Sequence, residues 1–540
     1  MALARTASVS LVGLEAHVVT VEADIASGLP AVIWTGLSDQ ATRQSGARIS
    51  RAVTNSREVW PSTKITIGLS PASLHKSGSA FDLPVATAIL AAAGAIDPSS
   101  VRDAVILGEL RLDGQVQPVT GVLPSVIGAL RSGRSRFVVP RANAGEARLV
   151  PGAEVMAVSS LAELCARLRG EFVGDLEEEP VLEAPEQRPV PDFADVIGQQ
   201  AARWAMEVSA AGGHHVYLKG PPGVGKTMLA ERMPGLLPDL GPEEALDVTS
   251  IHSLLGRLAP GAPLVTRPPF CAPHHTATVP SLVGGGSGIA GPGAISLAHR
   301  GVLFLDEAPE FSNHALDALR QPLEAGQVTI TRARGVATYP ARFLLLLAAN
   351  PCPCGRGGTA GDTATCSCSP ARKRSYTGRL SGPMDDRIDL RAELLPVSRA
   401  VLLAGAAGEP TSAIRARVEL ARDRAAVRMR GTPWRTNGEI DGPSLRREWP
   451  VPAHAMSQLH RDLDRGMLST RGVDRVLKVA WTVADLAGHD RPDADDVAAA
   501  RALRFGGQPL LRTVRGDTGD GDTADEGAVA EDTLAVRVAR

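Results

Sequence analysis

A chain of 540 residues, 44% hydrophobic and 21% charged, has the composition of a soluble globular protein and the length for about three or four domains, each with its own core. The net charge of −2 conceals two acidic stretches, net −6 over residues 173–192 and net −4 over residues 513–540, which leave +8 on the remainder and so permit a polyanionic partner without requiring one. The apolar run Leu83 to Ile96 is too short to span a bilayer, and charge arrives by Glu15 with no continuous apolar stretch before it; the expectation is a cytoplasmic protein with no membrane partner and no disulfides.

Residues 1–172 alternate β-like runs (Val18 to Val21, Lys64 to Ile67, Phe137 to Val139) with helix-like ones (Ala80 to Ala93, Leu123 to Leu130), which predicts an α/β domain. Within it, His75 to Ser79, Gly108 to Gly114 and Pro118 to Leu123 resemble the Lon-type protease fold. That resemblance puts Ser79 at the nucleophile position, but Leu123 and Pro124 stand near the place where the family carries its lysine. A serine hydroxyl needs a nearby base to be activated, and Lys76 is the lone lysine close to it in sequence, so the domain is read as non-proteolytic, a scaffold or binding surface. Residues 173–192, with four prolines and seven acids, cannot bury enough apolar surface to fold and read as a linker.

Residues 193–395 hold the chemistry. The apolar segment Val216 to Leu218 delivers the chain into Gly220-Pro221-Pro222-Gly223-Val224-Gly225-Lys226-Thr227, a glycine-rich loop that opens a helix. Glycines let successive backbone N–H groups face a triphosphate, Lys226 neutralises its β and γ oxygens, and the Thr227 hydroxyl reaches Mg²⁺. Downstream, the buried-strand run Val302 to Leu305 ends in Asp306, suited to holding Mg²⁺ through water, and Glu307, suited to activating the attacking water. A third apolar run, Phe343 to Ala349, ends at Asn350, whose amide can bridge that water and the γ-phosphate. Loop, acidic strand end and polar strand end in this order resemble the AAA+ ATPases, which implies a parallel sheet with helices on both faces.

Cys352, Cys354, Cys366 and Cys368 fall in a Cys-rich insertion spanning 350–370. Two pairs of soft ligands suit a structural Zn²⁺, although C-x-C is narrower than usual zinc-knuckle spacing, and reduced thiols of a surface hairpin are the alternative. His274 and His275 are adjacent, so in regular structure they point apart and are read as packing or loop residues. Residues 396–506 carry helical periodicity (Ile414, Val418, Ala421, Ala425; Val473, Val476, Leu477, Ala480, Ala484) and read as a helical lid, while residues 507–540 read as a disordered acidic tail.

Further motifs sharpen the resemblance: Pro273 to Thr276, Leu282 to Gly286, Pro292 to His299, Leu319 to Glu324, Asn350 to Gly355 and Arg379 to Pro383. With the Lon-like front and the helical back, the chain resembles the magnesium-chelatase-like AAA+ ATPases of the ComM/YifB type over roughly residues 8–505. The resemblance implies a homo-hexameric ring that uses ATP and Mg²⁺ to move branched or single-stranded DNA, as a branch-migration helicase in recombination and natural transformation. It also implies that Arg387, in Asp386-Arg387-Ile388-Asp389, reaches the γ-phosphate of a neighbouring subunit, and that Arg471, or Arg475 one turn on, senses the phosphate in cis. The rival readings are a chelatase-type motor or remodelling ATPase acting on protein partners, and an ATP-dependent protease, which the missing lysine disfavours.

Overall fold

A computed structural model describes residues 2–35, 40–72, 74, 79–171, 190–286, 290–333, 335–357, 366–380, 382–403 and 408–507. Lys76, most of the expected linker and nearly all of the expected tail lie outside the described residues, and Ser79 is described in its backbone alone.

The front sheet has seven strands in the order Ala31–Thr35, Lys64–Ser70, Glu15–Ala26, Ala2–Val12, Ala104–Ile106, Arg136–Pro140, Glu154–Val158. Its spine is the long antiparallel pair Ala2–Val12 and Glu15–Ala26. Val19, Val21 and Ala23 alternate into the core from the second of these, as a half-buried strand requires. Helix Asp82–Ala92 is buried along its whole length, and its sequence is apolar on every face except for Asp82, paired with Arg48, and Thr87, bonded to Leu83 O.

The second sheet has five strands in the order Phe270–Cys271, Val302–Leu305, Leu344–Ala349, Val216–Lys219, Leu390–Glu393, and every neighbouring pair is parallel. The loop-bearing strand Val216–Lys219 therefore sits between the strand that ends at Asn350 and the last strand. Strands Val302–Leu305 and Leu344–Ala349 are buried throughout, because a parallel sheet is covered on both faces. Alternation divides them. Phe304, Leu346 and Ala348 join a core shared with the lid helices through Ile414, Val418, Val476 and Ala480. Leu303, Leu305, Leu345 and Leu347 face a separate core that includes Phe311, Leu316 and Tyr339. The lid comprises Thr411–Arg428, Gly442–Glu448, Ser457–Asp464, Thr470–Ala487 and Ala494–Phe505. Both predicted apolar stripes of this region are buried.

Two antiparallel hairpins interrupt the parallel pattern. Gly284–Gly285 pairs with Gly291–Pro292, and Gln327–Arg332 pairs with Gly335–Pro340.

The front unit sits directly on the ATPase-like unit. Gly121 N donates to Ser253 O (3.1 Å), and Ser253 Oγ donates to Glu146 Oε2 (2.6 Å). Burial at this seam pushes the Glu146 carboxyl above its ordinary pKa, opposed by hydrogen bonds from Ser253 and Asn143. At a second point the turn between the first two strands presses on the hairpin strand Gly335–Pro340: a Cβ on Gly13 would lie 3.0 Å from Thr338 O, and Leu14 packs into the core beneath. Among the described residues no helix is long and apolar enough to cross a membrane.

Candidate functional site

Strand Val216–Lys219 runs out at the C-terminal edge of the parallel sheet, the loop Gly220 to Gly225 turns over that edge, and helix Lys226–Leu236 begins. Gly223 (φ 78°) and Gly225 (φ 97°) are left-handed, a conformation that side-chain-bearing residues resist. Lys226 Nζ donates to Gly220 O (2.7 Å), Pro221 O (2.8 Å) and Asn350 Oδ1 (3.0 Å), so the ammonium is held at the loop mouth by oxygens that phosphate oxygens can replace. Burial lowers its pKa, while Asp306 and Glu307 oppose that shift. Thr227 Oγ1 donates to Asp306 Oδ2 (2.8 Å), placing two oxygen ligands side by side, and Glu307 N donates to Asp306 Oδ1 (2.9 Å). The structure thus brings Lys226, Thr227, Asp306 and Asn350, distant in sequence, into one hydrogen-bonded set with Glu307 next to it.

Glu307 itself adopts φ 50°, an uncommon conformation for a residue with a side chain, at the start of the short helix Ala308–Glu310. His275 Nδ1 lies 3.6 Å from Glu307 Oε2. Of the two readings of His274 and His275, the loop holds: they follow strand Phe270–Cys271 outside regular structure, so they do not point apart, their rings are 4.1 Å apart, and His275 faces the acidic strand end. The pairing of Phe270–Cys271 with Val302–Leu303 brings them there, a long-range contact that adjacency in sequence does not reveal.

The four cysteines converge. Cys352 Sγ is 3.3 Å from Cys354 Sγ and 3.7 Å from Cys366 Sγ, Cys354 to Cys366 is 3.6 Å, and all four sulfurs lie within 4.8 Å of one another. A tetrahedral zinc with bonds of about 2.3 Å has S–S edges of about 3.8 Å, so the donor set fits. The backbone N–H of Arg356 and the Cys352 thiol hold the Cys354 thiol down to about 6, while Cys368 in the same cluster is pushed up to about 11, so a metal would have to displace the Cys368 proton.

Arg387 lies at the other edge of the sheet. It precedes strand Leu390–Glu393, whose N-terminal end pairs with Val216 while its C-terminal end pairs with Lys219 beside the loop. Arg387 Nη2 is bound to Glu324 Oε1 (2.5 Å). Arg475 donates to Asp389 Oδ1 (2.5 Å) and Arg387 O (3.2 Å), and both arginines line a cleft of about 780 Å³ with Arg300, Arg422 and Lys478. Burial disfavours an ionised Asp389, but Arg475, His214 and His215 outweigh it and hold the carboxyl well below its usual range. None of the Gly220–Thr227 loop lines this cleft. The turn carrying Arg471 and Arg475 is thus anchored at the edge opposite the loop, Arg471 itself being exposed. The structure does not bring either arginine to the loop of its own chain, because helix Thr470–Ala487 packs along the N-terminal strand ends, where Thr482 also meets His214 (2.7 Å).

A glycine-rich loop on the fourth strand of a five-stranded parallel sheet, facing an acidic strand end and a polar strand end and backed by a helical lid, defines an AAA+ P-loop ATPase fold. The magnesium chelatase subunit ChlI model matches residues 192–402, a model for subunit ChlI of Mg-chelatase matches 21–143, and the ChlI C-terminal model matches 408–504. An uncharacterized protein of Mycobacterium tuberculosis is 52% identical over 506 residues, covering 93% of this chain and 99% of its own. YifB of Escherichia coli is 39% identical over 507 residues (93% and 98%), and competence protein ComM of Haemophilus influenzae 38% over 514 (93% and 98%). The chain belongs to the magnesium-chelatase-like AAA+ family of YifB and ComM.

Proposed function

We propose that this chain is an Mg²⁺-dependent ATPase that assembles as a hexameric ring and translocates on branched or single-stranded DNA, serving as a branch-migration helicase in recombination or natural transformation. The observation that carries the ATPase reading is the hydrogen-bonded set of Lys226, Thr227, Asp306 and Asn350 at the loop mouth. The residues present fit the group: Thr227 and Asp306 would hold Mg²⁺, and the N–H groups of Gly223 to Thr227 with the Lys226 ammonium would cradle the phosphates. Bound Mg²⁺ neutralises charge that develops on the phosphate oxygens. Glu307 accepts the proton of the attacking water, Asn350 orients that water, and Lys226 leaves its carbonyl partners for phosphate. Arg387 serves the site of a neighbouring subunit, since it lies at the opposite sheet edge from its own loop; Arg475 and Arg471, at the same edge, are assigned to act across the boundary with it rather than in cis.

Support for DNA comes from the +8 balance outside the two acidic segments and from hairpin Gln327–Pro340, where exposed Arg332 stands next to Gly285 of the other hairpin. One of the relatives is named a competence protein. ATP hydrolysis by the purified chain, measured with and without forked, single-stranded and duplex DNA, tests the proposal: stimulation by forked or single-stranded DNA is expected. Robust hydrolysis indifferent to all three would favour the second reading, a motor acting on protein partners, which the three magnesium-chelatase subunit models favour. The four cysteines are assigned to a structural Zn²⁺, to be checked by elemental analysis, with about one zinc per chain expected.

A further inference from the structure

The cysteine cluster is built into the nucleotide site. Cys352 is separated by Pro351 alone from Asn350, the residue that accepts a hydrogen bond from Lys226, and the turn Cys352 to Gly355 closes by Gly355 N donating to Cys352 O (2.9 Å). That turn leans on the phosphate loop: a Cβ on Gly355 (φ 77°) would lie 2.6 Å from Cγ and 2.8 Å from Cδ of Pro222. On the other side, Cys368 leads into helix Pro370–Thr377, whose buried Tyr376 meets the Asn350 backbone through its hydroxyl. Gly357 packs on the sulfurs so closely that a Cβ there would lie 3.0 Å from Cys352 Sγ and 3.6 Å from Cys366 Sγ.

Three elements that touch nucleotide-site residues therefore converge on four sulfurs: the end of the Asn350 strand, the turn against Pro222, and the helix carrying Tyr376. The distance between the two cysteine pairs fixes how the turn and the helix stand relative to each other, and hence where Pro222 and Asn350 stand. We propose that Zn²⁺ bound by Cys352, Cys354, Cys366 and Cys368 forms the back wall of the ATP site, holding the phosphate loop in its binding conformation, so that metal occupancy sets affinity for the nucleotide. This rests on the assignment of the cysteines to zinc. A metal placed solely to staple a surface hairpin would have no contact with the loop, whereas here a single backbone turn is in contact with both.

The test uses the full chain and two readouts, zinc content and the dissociation constant of a fluorescent ATP analogue in excess Mg²⁺. Removing zinc with a chelator, or Cys366→Ser, is expected to weaken the analogue by about tenfold or more, within the range of ordinary coupling between sites, and zinc added back to the chelated chain should restore it. Gly355→Ala keeps all four ligands but forces the turn away from Pro222; it is expected to retain one zinc per chain and yet lose affinity to a similar degree. If zinc is present and its removal shifts affinity less than twofold, the inference fails while the zinc assignment stands. If the purified chain holds no zinc, the assignment fails and the inference with it. Should Cys366→Ser not fold, Gly355→Ala decides alone: normal affinity with zinc retained overturns the proposal.

Discussion

Arg387→Ala offers the most demanding test, because its expected effect depends on which edge of the sheet the residue occupies. Val216 pairs with Leu390 and Lys219 with Glu393, so the strand between them spans about 10 Å. Arg387 lies before Leu390, beyond that span, with its guanidinium tied to Glu324. Such a side chain cannot reach its own loop, and ATP binding should stay near normal. Hydrolysis should fall by about 10³ to 10⁵, the usual worth of an arginine finger, or about 4–7 kcal/mol of transition-state stabilisation. Glu307→Gln should be equally silent for a different reason, having lost its base but kept Arg387. In an equimolar random co-assembly, about a quarter of the interfaces join an intact Glu307 to an intact Arg387, so phosphate release should recover to about a quarter of the unsubstituted rate. Mixed rings confirmed by size-exclusion chromatography that hydrolyse no faster than either parent would refute action across a boundary.

Lys226→Ala should abolish nucleotide binding, because the loop loses the ammonium that offsets the phosphate charge, whereas Glu307→Gln should bind ATP and retain it; filter binding with radiolabelled ATP separates the two. His275→Ala should lower kcat by about tenfold with KM little changed if the 3.6 Å contact orients Glu307, and equal effects on both would point instead to a folding role. Stability should fall as pH drops below about 6.5. His215 and His299 are pushed by burial to about 4 and about 3, and each accepts a backbone N–H through Nδ1, from Leu345 (3.1 Å) and Arg342 (3.0 Å). The folded chain therefore keeps them neutral while the unfolded chain takes up protons, so stability is fully present above the unfolded pKa. Each then loses up to about 1.4 kcal/mol per pH unit down to its folded pKa. Urea titrations at pH 7, 6 and 5 check this, and His299→Gln should flatten the slope.

The phosphate loop, the acidic strand end and Asn350 were legible because each is a local pattern, a glycine spacing or an apolar run with a polar stop, whose chemistry needs no knowledge of the neighbours. Family resemblance, not local pattern, supplied Arg387, Arg471 and Arg475, and it could not supply the sheet edge on which they lie. That depends on how helix Thr470–Ala487 packs against His214 and Asp389, contacts spanning the whole ATPase unit. His275 was missed for the same reason, since a two-residue strand is all that carries it to Glu307. The hairpin Gln327–Pro340 did have a signal, with Val328 and Ile330 alternating with Thr329 and Thr331 and a glycine at Gly335, but the signal is short and lies between stronger helical and apolar runs.

The contact of Gly13 and Leu14 with the strand Gly335–Pro340 has a mechanical implication. The front unit's longest strand pair ends on the hairpin Gln327–Pro340, while its helical side is seated through Ser253 on the ATPase-like unit's own framework. Were the hairpin to shift relative to that framework, the front sheet would tilt with it, and that sheet extends about 35 Å from the point of contact along eleven strand residues. A dye pair placed on the far end of that sheet and on the lid would then register such a movement during ATP hydrolysis, with the labels far from the phosphate loop.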